Sequence, residues 1–249
     1  MSKNSQKQKK ILFISGLDPS GSAGLLADLE MAYWRGVKAS AAVTALTAQN
    51  SQKFFTPQVV SAKVFKNTLQ ALKPLNQFDS IKMGMLGNEK IINLLVTELK
   101  NYKGCIILDP VTTASTGGQL LTPKGQKALA QKLLPLVTLW TPNLDEARLY
   151  LGETQYHLTP TKIAQRLYQK FKIPVYLKGG HLRGNPIDIF YDGTKELILK
   201  NKRIHKPFRG TGCRLASLMA CEGGMGMEKI RSLYQLYLQE FPFSTGRKP

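Results

Sequence analysis

The chain reads as an α/β protein with a mostly parallel central sheet and helices on both faces. Three observations predict this. Short apolar runs alternate with longer segments of helical period, the pattern of repeated β-then-α units. One stretch, IDIFYDGTKELILK, carries Asp-Gly between two β-rich arms and predicts a hairpin added to that sheet. The glycine-rich and polar motifs follow the apolar runs, so they gather on one edge of the predicted sheet, the edge where open α/β sheets bind ligands.

The apolar runs are Ile11–Ser15, Ser40–Leu46, Ser80–Met83, Cys105–Leu108, Val137–Trp140 and Val175–Leu177. Between them lie AGLLADLEMAYWRG, SAKVFKNTLQALKPL, NEKIINLLVTELKNY, TPKGQKALAQKLLPL and TPTKIAQRLYQKFK. In the third of these, Ile91, Leu94, Leu95 and Leu99 recur at spacings of three and four, an amphipathic helical stripe. The motif GLDPSGSAG follows the first run, TAQN the second, GMLG the third, DPVTTASTGG the fourth, TPNLDEA the fifth and KGGH the sixth. No internal repeat or linker divides the chain. Residues 1–10 are expected to form a flexible basic tail and residues 11–249 one domain.

A length of 249 residues is enough for one sizeable α/β domain, and 43% hydrophobic with 20% charged residues is ordinary for a soluble protein. The charge is not ordinary: 35 Lys and Arg against 16 Asp and Glu give +19, a balance that attracts polyanions and phosphorylated substrates. The lysines are scattered, with only KNSQKQKK clustered, so no dedicated nucleic-acid site is indicated. Cys105, Cys213 and Cys221 form neither a CxxC pair nor metal-ligand spacing, which fits a reducing compartment. ILFIS is too short for a signal-peptide core, and no apolar stretch approaches the roughly 20 residues of a membrane span. A cytoplasmic location is expected.

Residues 209–213, RGTGC, carry the most suggestive chemistry. Successive amides of a glycine-rich turn opening a helix converge on one point, where the helix dipole also favours negative charge. Gly210 and Gly212 permit close approach, although such a turn is also a common loop. Cys213 in the first turn would have its thiolate favoured by the same amides and could serve as a general base; the plainer reading is a small packed cysteine. Asn143 and Glu146, three apart in TPNLDEA, suit either a hydrated Mg²⁺ or a helix capping box. Asp109 is either a metal-side acid or a strand-to-loop residue. Gln49 and Asn50 offer paired donors and acceptors for a heterocycle edge, and Lys178 offers a point charge for phosphate.

Taken together, ISGLDPSGSAGLLADL, VTALTAQNS, IKMGMLG, ILDPV, LLPLVTLWTPNLDEA, LKGGHL and GTGC are far more specific than any one of them. In this order, the chain resembles the hydroxymethylpyrimidine/phosphomethylpyrimidine kinases of thiamin biosynthesis, in the ribokinase-like superfamily. The resemblance implies a ribokinase-like three-layer αβα sandwich with a mostly parallel central sheet. It implies ATP-dependent phosphorylation of 4-amino-5-hydroxymethyl-2-methylpyrimidine and then of its monophosphate, with ATP and Mg²⁺ as cofactors and a homo-oligomer, a dimer, as the assembly. Carried over by position, Gly16, Asp28, Gln49 and Met85 would surround the pyrimidine. Asp109 and Glu146 would manage Mg²⁺, with Asn143, Lys178 and Thr211 on the nucleotide side. Cys213 would deprotonate the hydroxymethyl group while the amides of Gly210 and Gly212 stabilise the transferred charge.

Some positions depart from that pattern. Arg209 stands where the family usually has histidine, Ser115 where lysine is common, and Arg214 where a small polar residue follows the cysteine. CEGGMGMEK interrupts the helix expected after the anion loop. These departures cluster around phosphate handling and the C-terminal helices.

Overall fold

A computed structural model describes residues 8–48, 55–114, 117–152, 158–180, 186–200, 210–224 and 226–240. Among them the strands are β1 (Lys10–Leu17), β2 (Lys38–Leu46), β3 (Gln58–Val59), β4 (Ser80–Met83), β5 (Cys105–Leu108), β6 (Leu139–Trp140), β7 (Val175–Leu177), β8 (Ile187–Tyr191) and β9 (Glu196–Lys200). The helices are α1 (Gly24–Trp34), α2 (Ala62–Ala71), α3 (Glu89–Leu99), α4 (Pro123–Ala128), α5 (Leu144–Leu151), α6 (Pro160–Phe171), α7 (Thr211–Glu222) and α8 (Met227–Glu240). The strands form one sheet in the order β3-β2-β1-β4-β5-β6-β7-β8-β9. From β2 to β7 neighbours run parallel, whereas β3, β8 and β9 pair antiparallel at the two edges. The Asp-Gly hairpin is therefore β8–β9, as expected.

Because side chains alternate along a strand, a sheet covered on both faces divides each buried strand between two cores. On β1, Leu12 and Ile14 join the core under α2, α3, α5 and α6, through Phe65, Ile91, Leu95, Ala147 and Leu167. Ile11 and Phe13 join the opposite core with Leu25, Met31, Leu218 and Ile230 from α1, α7 and α8. These three layers make the predicted αβα sandwich.

Local signals account for several element ends. Asn88 accepts hydrogen bonds from the amides of Lys90 and Ile91 and so starts α3, while Thr159 followed by Pro160 starts α6. Gly152, left-handed at φ 73°, ends α5. The segment CEGGMGMEK does break the last helical stretch: α7 stops at Glu222 and Gly223 takes a left-handed cap. TPKGQKALAQKLLPL differs from the single helix its period predicts. After α4 it widens into a π turn over residues 129–133, then tightens to a 3₁₀ turn at Leu134–Leu136, where Pro135 has no amide to continue the ladder. β1 begins at Lys10, the last residue of the expected tail.

Candidate active site

The chain leaves β1 for β2 on one side and later returns to place β4 on the other, so the carboxyl ends of these strands flank a switch point. A cavity opens there. Ser15, Gly16 and Asp18 from the end of β1, Thr47 after β2, Met85 after β4, and Cys213 from α7 line it, with Ala23, Gly24, Val111 and Leu120. Three residues expected at the site, Gly16, Met85 and Cys213, are thus brought together from positions far apart in sequence.

The anion loop packs against this cavity's rim. Gly210 caps α7 at φ 70°, and a Cβ there would collide with the Ser22 carbonyl, so only glycine fits this close approach. A Cβ on Gly212 would come within 2.9 Å of Lys178 Nζ. The α7 amides and the lysine ammonium therefore converge beside Cys213. Thr211 is exposed at the first position of the helix, and its carbonyl accepts a hydrogen bond from Tyr234 at 2.7 Å.

Lys178 forms an ion pair with Asp109 at 2.6 Å. Burial works against its charge, but Asp109 and Glu146 more than offset this and hold its pKa above the usual lysine value. Asn143 and Glu146 form the capping box: Asn143 Oδ1 accepts from the amides of Asp145 and Glu146, both at 2.9 Å, and Glu146 accepts from the Asn143 amide at 2.8 Å. Burial pushes the Glu146 carboxyl up to about 7, against the pull of Lys178. Asn143 Oδ1 thus serves the backbone, and Asp109, Glu146 and Lys178 form the charged group beside the anion loop.

Asp28 is placed differently from the expectation. It is completely buried beneath the cavity, is not among the residues lining it, and accepts from Lys82 Nζ at 2.8 and 2.9 Å. The reason is alternation on β4: Ile81 and Met83 face one helical layer, so Lys82 faces the other, where α1 presents Asp28. Ser217 Oγ lies 2.7 Å from Asp28 Oδ1 and 2.9 Å from the Cys213 carbonyl, which ties this pair to α7. Lys82 was missed at the sequence level, although a lysine inside the apolar run SIKM was a legible signal. Gln49, Ser115 and Arg209 lie outside the described residues.

Cys213 also departs from the expected thiolate. Burial pushes its thiol up to about 11, with Asp109 and Asp28 adding to the effect, while Lys82 and a hydrogen bond from the Gly24 amide oppose it. An ordinary thiol with a pKa near 8.5 is about a quarter ionised at pH 8, whereas one near 11 is only about 0.1% ionised. Alkylation of Cys213 by iodoacetamide at pH 8, followed by peptide mass spectrometry, should run on the order of 100-fold slower than in the unfolded chain and climb with pH. Labelling at the unfolded rate would mean that the amides of α7 and Lys82 outweigh burial.

Arg214 explains itself in the structure. Its guanidinium, 3% exposed, donates to Glu30 at 2.9 and 2.6 Å, to the Ser22 carbonyl at 2.8 Å and to Tyr237 at 3.1 Å. Tyr237 in turn donates to Glu30 at 2.7 Å. One planar fork thus joins α1, α7, α8 and the turn after β1. Arg214→Ala should cost about 2 kcal/mol in urea denaturation, since hydrogen bonds to charged groups are worth about 1.5–3 kcal/mol and Glu30 remains partly solvated. Arg214→Lys should recover only part of this, because lysine lacks the fork; full recovery would reduce the role of Arg214 to charge alone.

A cavity at the switch point beside an amide-lined helix start and a lysine is the layout of an α/β phosphotransferase acting on a small molecule. Comparison with known proteins places it further. The family model described as phosphomethylpyrimidine kinase matches residues 18–235, and the chain belongs to this family. A hydroxymethylpyrimidine/phosphomethylpyrimidine kinase of Aquifex aeolicus is 38% identical over 83% of this chain and 82% of its own length. The crystal structure of a phosphomethylpyrimidine kinase from Clostridium difficile superposes with a TM-score of 0.79 at 28% identity, covering 94% of this chain and 99% of that one. The pyridoxal kinase of Staphylococcus aureus in complex with ADP reaches 0.81 at 26% identity, covering 93% and 87%. No helix among the described residues is long and apolar enough to cross a membrane.

Proposed function

We propose that this chain transfers the terminal phosphoryl group of ATP to the hydroxymethyl oxygen of 4-amino-5-hydroxymethyl-2-methylpyrimidine, and then phosphorylates the resulting monophosphate. The observation that carries this reading is the double position of Cys213, which lines the cavity and belongs to the first turn of α7. A small alcohol in the cavity lies next to a proton acceptor, and a phosphoryl group at the helix start lies next to the amides of Gly210–Gly212.

Phosphoryl transfer asks mainly for positioning and charge neutralisation. The alcohol oxygen forms a bond to phosphorus, the bond from phosphorus to the ADP oxygen breaks, and the alcohol proton passes to the Cys213 sulfur as a thiolate. Lys82 and the Gly24 amide are the groups that favour that thiolate. Lys178 and the α7 amides stabilise charge on the transferred group.

Asp109 and Glu146 fit a hydrated Mg²⁺. They are two buried carboxyl groups beside one lysine, and Mg²⁺ needs only one or two carboxylates because it keeps most of its waters. Among the described residues no group of three or more acidic, histidine or cysteine side chains is placed to hold a metal ion. Held by Asp109 and Glu146, Mg²⁺ would supply positive charge to offset that of the nucleotide phosphates. The test is an ATP-dependent assay with the pyrimidine alcohol, its monophosphate and pyridoxal side by side. Turnover of both pyrimidines in preference to pyridoxal supports the reading, and a preference for pyridoxal overturns it.

A further inference from the structure

Asp18 lines the cavity and is 2% exposed, yet only half of its carboxylate is used. Its Oδ1 accepts from the Ser20 amide at 3.0 Å and lies 2.9 Å from the Ser20 hydroxyl, which donates to it. Its Oδ2 is buried with no hydrogen-bond partner. The neighbouring polar group of the wall does not help, because the Thr47 hydroxyl donates to the Leu17 carbonyl at 3.0 Å. Most of the remaining wall is apolar or glycine, as in Gly16, Met85, Val111 and Leu120.

Buried polar atoms in folded proteins are almost always paired, and one left open in a cavity wall marks where a ligand supplies the partner. An ionised carboxylate only accepts, so the partner must donate. The proposed substrate carries an amino group on the ring atom next to the one bearing its hydroxymethyl group. Pyridoxal carries an aldehyde there, and an aldehyde oxygen only accepts. Cys213 lines the same cavity, so a ring whose hydroxymethyl group meets Cys213 has its adjacent substituent available to another residue of the wall.

We propose that Asp18 is a specificity-determining residue whose Oδ2 accepts a hydrogen bond from the amino group beside the substrate's hydroxymethyl group. This rests on the pyrimidine reading above and extends it: Asp18 selects a donor at that ring position and disfavours an acceptor. A site built to pair with one polar group rejects analogues that leave it unpaired far more strongly than it rejects a mere change of size.

Asp18→Asn tests this cleanly, because the amide oxygen can still serve Ser20 while the other position changes from acceptor to donor. Calorimetric titration without ATP would compare the 4-amino pyrimidine alcohol, its 4-oxo analogue and pyridoxal. The wild-type chain should bind the amino compound at least about tenfold more tightly than the oxo compound. In Asp18→Asn that preference should vanish or reverse, and pyridoxal should bind better. Ser20→Ala, which removes only the hydroxyl bond to Oδ1, should keep the wild-type ratio. An unchanged ratio in Asp18→Asn, or equal weakening of both pyrimidines, overturns the proposal and leaves Asp18 as a turn residue. Failure of the wild-type chain to bind either pyrimidine overturns the functional reading and this inference together, and is recognisable because no ratio exists to compare.

Discussion

Cys213→Ser should lower turnover of the pyrimidine alcohol by at least about 100-fold, the low end of what a positioned general base contributes. Serine fills nearly the same space, so calorimetric binding of the pyrimidine should change little. The loss should therefore appear in kcat rather than in the dissociation constant. The pH profile makes the assignment sharper. With the thiol pushed up to about 11, the fraction present as thiolate rises about tenfold for each pH unit across the neutral and mildly alkaline range. Wild-type turnover should climb with pH accordingly, and the serine variant should lack that slope. Near-normal turnover in Cys213→Ser would remove this cysteine from the chemistry and leave positioning to the anion loop alone.

The sequence made the sheet legible because its strands are buried on both faces and so appear as apolar runs. Ser80–Met83, Cys105–Leu108 and Val175–Leu177 agree with β4, β5 and β7 residue for residue. β3 escaped because it has two residues and pairs only with the end of β2. The location of the site was legible for a topological reason: motifs that follow parallel strands must lie at the same sheet edge, and Gly16, Met85 and Cys213 do meet there. The roles inside the site were harder to read. In TPNLDEA the same two residues that suit a cation also suit a helix start, and the capping box uses the Asn143 side chain. Asp28 and Lys82 are 54 positions apart, and Arg214 and Glu30 are 184 apart, so no local pattern joins them. Asp18 belongs to GLDPSGSAG, a motif whose place after the first apolar run was legible. Its unpaired oxygen, however, is a fact about three-dimensional surroundings.

Lys82 should carry one of the largest stability effects in the chain. It and Asp28 are both completely buried, and removing one member of such a pair leaves an uncompensated charge, at a cost of about 3–5 kcal/mol. Lys82→Met should lower the urea-denaturation free energy by that amount. Adding Asp28→Asn should restore most of it, because a neutral amide can still accept from Ser217 and no isolated charge remains. The double variant then separates structure from function. Lys82 is the foremost of the groups that hold the Cys213 thiol down against burial, so its loss should drive that thiol's pKa further up. A folded double variant should therefore turn over at least about tenfold more slowly at neutral pH, with its rate recovering only at higher pH than in the wild type. If it instead works at the wild-type rate with an unshifted pH profile, the Lys82–Asp28 pair is purely architectural, and the ammonium beneath the cavity has no part in preparing the base.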